Sequence, residues 1–473
     1  MLGKTSVFAF AISAFCLTAP AHARASPIAD QAFHPCQDSA DGPALPGSLC
    51  AMARVPLDPA GSSVDDGEAM DLFLRKFPAV DPAQRRGEVW LVAGGPGESG
   101  ASFYPLLDSY RKAFAGYDLV VPDHRGTGYS TKLCPEQEAP DSPDGMALAG
   151  KEWGPCIGTL FAKAERTKAF TVTNAAHDLA TLIGRYRQPG QVYLYGVSYG
   201  TQLVLRTMLV APPVLDGIVL DGLVPPETDT GHDLSHRTQV VDAVGRAVLT
   251  PAQIARYRAL LAEPSPAWKG EVPGGNLRLL LGSFLNYPDL RDRIPAIIAA
   301  LAEDDVQPLK DAAAKLAEHG ALFQHYPQSP SSIPLVMLVS GSENNSRPDL
   351  TRETVAAEAK DALFVSTLPG LLASSPGPRY RRDGYFGQDP KNLPPTLIVH
   401  GTLDPNTPYG GASDHAAALV EVGDPVQFVT VEGAGHFMPL VAPGCFVASV
   451  SRFVAGEPAA ATCNAEALAK SVE

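Results

Sequence analysis

Gly196-Val197-Ser198-Tyr199-Gly200 constrains this chain more than any other feature. It stands where the apolar run 192–195 stops and the helically spaced run 202–210 begins. A serine flanked by glycines two positions either side, at a strand-to-helix junction, has the form of a nucleophile elbow. The turn is so tight that only small residues fit beside it, and the serine is lifted out at the top of a sheet. A hydroxyl is a poor nucleophile at neutral pH, so such a serine needs a base beside it and an acid behind the base. The rest of the chain should then alternate strands and helices, with both partners at later strand ends.

That alternation is present. Residues 88–93 (EVWLVA) and 117–122 (YDLVVP) read as short buried strands. Residues 175–186 and 202–210 have helical apolar spacing, and 192–195 and 215–220 are further strands. The order implies an α/β fold with a mostly parallel sheet and crossover helices. After Pro225 the pattern changes. Residues 251–261, 294–301 and 309–322 carry apolar residues at helical spacing, so 226–392 is expected to be an inserted helical cap. Strands resume at 395–400 (PTLIVH) and 426–431 (VQFVTV), and a helix over 446–454 closes the fold. The core is thus expected in two parts, 24–225 and 393–473, with 24 to about 70 an extended lead-in.

Residues 1–23 have the form of a secretory signal. Lys4 supplies positive charge, 7–17 are almost all apolar, and Ala21-His22-Ala23 is a small-x-small cleavage site. Export predicts a periplasmic or secreted protein, with the mature chain starting near Arg24. Of the seven cysteines, Cys16 falls in that segment and six remain. Six allow fifteen pairings; proximity alone suggests Cys36 with Cys50, Cys134 with Cys156 and Cys445 with Cys463. With no Cys-x-x-Cys and no histidines clustered on cysteines, no metal site is expected. The net charge of −14 argues against nucleic acid or an anionic membrane as partner.

The base is expected to be His436, in Gly433-Ala434-Gly435-His436 just past the last strand. The acid is expected to be Asp404, in Gly401-Thr402-Leu403-Asp404-Pro405. The chain order serine, acid, histidine suits an elbow serine. Asp221, after the preceding strand, is the alternative acid. A tetrahedral intermediate needs N–H donors for its oxygen. Tyr199, next after the serine, should give one, and the loop Ala93-Gly94-Gly95-Pro96-Gly97 the other, with Gly95 preferred to Gly94. Asp123-His124-Arg125-Gly126-Thr127-Gly128 is read as a structural brace. The chemistry asks for no cofactor.

Taken together, Gly94-Gly95-Pro96-Gly97, the Asp123–Gly128 stretch, Gly196–Thr201, Gly401–Pro405 and Gly433–His436 resemble the prolyl iminopeptidase and tripeptidyl aminopeptidase family of α/β-hydrolases. The resemblance covers roughly 88–225 and 393–465, and Cys445 and Cys463 around a final helix resemble its secreted tripeptidyl aminopeptidase branch. It implies an exopeptidase acting on peptides with a free N-terminus. It also implies an acidic cap residue that holds the substrate ammonium, and Val339-Ser340-Gly341-Ser342-Glu343-Asn344 makes Glu343 the candidate. An exported carboxylesterase is the alternative among enzymes. A non-catalytic binding protein on a hydrolase scaffold is the alternative outside them.

Overall fold

Strands buried on both faces must be apolar throughout, and their alternate side chains must feed two separate cores. The chain obeys this. A computed structural model describes residues 32–37, 42–60, 68–143, 145–148, 150–264 and 266–465. The expected signal segment lies outside these residues.

Ten strands form one sheet: β1 (His34–Pro35), β2 (Leu49–Pro56), β3 (Ala69–Phe77), β4 (Gly87–Val92), β5 (Tyr117–Pro122), β6 (Gln191–Val197), β7 (Gly217–Asp221), β8 (Thr396–Gly401), β9 (Val426–Glu432) and β10 (Thr462–Asn464). Their spatial order is β1-β2-β3-β5-β4-β6-β7-β8-β9-β10. From β5 across to β10 every pairing is parallel, and β1, β2 and β3 add antiparallel at one edge. Trp90, Leu194, Leu220 and Ile398 point to one face, under the helices Val172–Tyr186, Tyr199–Val210 and Tyr409–Glu421. Leu91, Tyr195, Val219 and Val399 point to the other, under Leu107–Ala113 and Pro443–Val454.

The lead-in expected to be extended instead contains a long hairpin. β2 pairs with β3 over eight residues, from Leu49 opposite Lys76 to Pro56 opposite Ala69, and β3 then pairs with β5. Charged residues disguised it in the sequence. Arg75 is buried in β3, donates to the Ser48 hydroxyl at 2.9 Å and lies over the Tyr104 ring. The three disulfides join the neighbours named above, Cys36–Cys50, Cys134–Cys156 and Cys445–Cys463. The first ties β2 to the residue after β1.

Between β7 and β8 the chain is helical among the described residues. Pro251–Leu261, Ile294–Leu301 and Gln307–Leu322 surround a core of their own that includes Tyr257, Ile298, Leu309 and Phe364. The helix Ile333–Ser342 differs: Leu335, Leu338 and Val339 join the sheet's core. It sits over the β4 loop, where Ser332 N–H donates to Gly97 O at 2.9 Å. Among the described residues no helix is long and apolar enough to cross a membrane.

Candidate active site

The loops at the carboxyl ends of β4, β6, β7, β8 and β9 bring the candidate residues together. This is where parallel α/β sheets form their crevice. Ser198 follows β6 with φ 55° and ψ −126°, a left-handed backbone that non-glycine residues rarely adopt. Both flanking glycines are required by close approach. A Cβ on Gly196 would stand 2.5 Å from Gly200 O, and one on Gly200 would stand 2.5 Å from Val92 O. Gly200→Ala should therefore drive the helix start away from β4, cost ~3 kcal/mol or more, and lose activity. Gly184→Ala, at a helical site with open space around it, should instead stabilise by ~1 kcal/mol. Thermal unfolding of the two variants checks the contrast.

Asp404 and His436 are paired: His436 Nδ1 lies 2.7 Å from Asp404 Oδ2. The Asp404 carboxylate also accepts from Asn406 N–H (2.7 Å), Thr407 N–H (2.8 Å) and the Thr407 hydroxyl (2.8 Å). Burial opposes its charge, but His436 beside it and these donors hold the carboxyl well below the usual carboxylate range. Burial likewise opposes an imidazolium at His436, yet Asp404, with help from Asp221, leaves its pKa above the ordinary histidine value. The His436 ring packs on Gly222, where a Cβ would come within 2.8 Å of Cε1. Ser198 N–H donates to Asp221 O at 2.9 Å, so one strand end holds both the serine backbone and the imidazole.

Asp221, the alternative acid, is engaged elsewhere. Its carboxyl accepts from the Tyr195 hydroxyl at 2.7 Å and from Met438 N–H at 3.1 Å. Burial pushes it up to about 7. Its bond to Met438 fixes the turn after His436, where Phe437 has φ 72°.

Gly94 lies against the serine: a Cβ there would be 3.1 Å from Ser198 Cβ. A Cβ on Gly95, the donor the sequence favours, would meet Gly97 N and Glu98 N instead. Gly95, with φ 108° and backbone atoms that close, admits only glycine, whereas a side chain at Gly94 would crowd the serine. The Asp123–Gly128 stretch braces its surroundings. Arg125 donates twice to Asp178 at 2.7 Å and once each to Leu57 O and Ala169 O. Asp123 accepts from Gly100 N–H and Tyr129 N–H.

Glu343 is buried at the end of the helix Ile333–Ser342, on Arg206 of the helix that starts at the elbow. Arg206 Nη2 lies 3.5 Å from Glu343 Oε2 and 2.6 Å from Glu227 Oε1, and Nη1 lies 3.7 Å from Asp383 Oδ1. Tyr380 OH donates to Glu343 at 3.1 Å. Three carboxylates thus meet one guanidinium. Burial pushes Glu343 up to about 7 despite Arg206. Glu227 was not singled out in the sequence; a charged Arg206 on an otherwise apolar helix was the available signal. Glu227, Glu343, Asn406 and Thr407 share the wall of a cavity that reaches the Asp404 loop. Among the described residues, no three His, Cys, Asp or Glu side chains cluster as a metal site would need.

A parallel sheet with flanking helices and an elbow serine at its carboxyl edge defines an α/β-hydrolase. The α/β hydrolase fold family matches residues 89–264, and the TAP-like protein family matches residues 378–461. The chain thus has the α/β-hydrolase fold, and its C-terminal part is similar to TAP-like proteins. It is 28% identical over 212 residues to the serine protease Hip1 of Mycobacterium tuberculosis, covering 41% of this chain and 40% of that protein. It is 29% identical over 163 residues to a tripeptidyl aminopeptidase of Streptomyces coelicolor, covering 31% of this chain and 30% of that one. The matched region spans less than half the length of each of these relatives.

Proposed function

We propose that the protein is an exported serine aminopeptidase that releases residues or short peptides from free N-termini. The observation that carries the chemistry is the 2.7 Å Asp404–His436 pair set beside an elbow serine. His436 takes the Ser198 proton as the hydroxyl attacks the scissile carbonyl. N–H groups of Tyr199 and of the Gly94-Gly95 loop receive the oxyanion. His436 then protonates the leaving amine, and water hydrolyses the acyl-enzyme. Three disulfides favour export, since such bonds persist in oxidising compartments.

The exopeptidase half rests on Glu343 and Glu227. Two carboxylates on Arg206, with Asp383 close by, leave excess negative charge at the end of a cavity, and a substrate ammonium neutralises it. The name of the Streptomyces coelicolor relative, a tripeptidyl aminopeptidase, points the same way.

The test is a panel of fluorogenic peptide amides, each with a free and an acetylated N-terminus. Free-amine substrates should be cut, and acetylation should abolish cleavage. Glu343→Gln should raise KM about tenfold or more with a smaller change in kcat. The pH dependence has a defined sign. Below about 7 Glu343 takes up a proton and loses its charge, so KM should climb as pH falls through that value. Above ~8 the substrate amine loses its proton and KM should climb again. Short-chain esters cut in a Ser198-dependent way, with no amide cut, would make the protein an esterase instead.

A further inference from the structure

A second cavity opens beside His436, about 220 Å³ in volume. Its wall includes Glu98, Tyr287, Phe323, Gln324, His436 and Phe437, and no Lys or Arg lines it. Glu98 follows the β4 loop and is exposed to this space. Its Oε2 lies 3.5 Å from where a Gly94 Cβ would stand, and that point is 3.1 Å from Ser198 Cβ. The carboxylate is therefore within a side chain's length of the scissile bond. Among the described residues it makes no hydrogen bond and no ion pair. Burial raises the Glu98 pKa, and His436 alone among the protein's cations opposes that rise. A carboxylate this close to the reacting serine, with no lysine or arginine on it and three aromatic rings in the same cavity wall, suits an ammonium or guanidinium group.

Two cavities flank the Asp404 loop, and Asn406 lines both. If the Glu343 cavity holds the substrate's N-terminus, the remainder of the peptide runs past His436 into the Glu98 cavity. We propose that Glu98 makes this second cavity a specificity pocket for a basic side chain, lysine or arginine, on the leaving-group side of the scissile bond. This rests on the aminopeptidase reading given above. It adds a residue that selects substrates by charge on the opposite side of the cut from the amine anchor.

The experiment uses internally quenched peptides with free N-termini, identical except for lysine, leucine or glutamate as the first residue after the cut. A parallel set varies the residue before the cut. Wild type should favour lysine over glutamate on the leaving side by about tenfold or more in kcat/KM. Glu98→Gln should bring that ratio to within about twofold, and Glu98→Lys should invert it. An unchanged ratio in both variants overturns the proposal. So does a response confined to the residue before the cut, or one that alters only the preference for a free over an acetylated N-terminus. A pH profile shifted equally for every peptide also overturns it, since Glu98 would then act only on the charge of His436. Free-amine-dependent cleavage without a Glu98-dependent charge preference defeats this proposal alone. Cleavage of no peptide defeats the aminopeptidase reading as well.

Discussion

Ser198→Ala is expected to lower kcat by roughly a millionfold while leaving the fold intact. The size follows from the division of labour at the site. Without the hydroxyl His436 has no proton to take, and the covalent route closes; only the polarising N–H groups and binding remain. Fluorophosphonate labelling should vanish along with turnover. The same position offers a test of stored strain. Alanine keeps a Cβ on a backbone held at φ 55°, ψ −126°, so the strain persists. Ser198→Gly removes it and should be more stable than Ser198→Ala by ~1 kcal/mol or more. Equal melting temperatures for the two variants would show that the elbow is not strained. Retained turnover in both would remove Ser198 from the chemistry altogether.

The parts of this fold legible in the sequence are those whose physics is local. β4 to β8 lie buried on both faces, so each reads as a short, mainly apolar run, with glycine at or just past the end of β4, β7 and β8. The elbow is legible because its glycines answer to backbone atoms two to four residues away or on the next strand: Gly196 to Gly200, and Gly200 to Val92. His436 and Asp404 follow from chain order once the serine is placed. β2 and β3 were hidden for the opposite reason. Arg54, Arg75 and Lys76 break their apolar pattern, and Arg75 is tolerated inside with Ser48, Tyr104 and the charge of Asp123 among the groups that meet it there. No local pattern announces a partner brought in by tertiary packing. The same limit applies to Glu98, whose neighbours Tyr287 and Phe323 come from far along the chain. It applies to Glu343 as well: its stretch could be matched to a family, but the Arg206 that meets it stands on the elbow helix.

Asp404→Asn is the second large effect, an expected loss of about 10⁴ in kcat. The aspartate accepts four hydrogen bonds, from His436, Asn406 N–H, Thr407 N–H and the Thr407 hydroxyl. An asparagine must turn its amide nitrogen toward one of these donors. If it faces His436, the imidazole must present a bare Nδ1 and keep its proton on the nitrogen that should receive the serine's. The pH profile separates this from simple misfolding. Asp404 raises the His436 pKa against the effect of burial, so its loss lowers that pKa. The acid limb of kcat/KM, which marks His436 giving up its proton, should then move to lower pH. Asp221 stands close enough to influence His436, yet it cannot take over. Its oxygens are held by Tyr195 and Met438, and burial pushes it up to about 7, where much of it is uncharged. Asp221→Asn should accordingly cost about tenfold at most, through the Met438 turn that positions the His436 loop. A larger loss from Asp221→Asn than from Asp404→Asn would reverse the assignment and make the strand-β7 carboxylate the partner of the histidine.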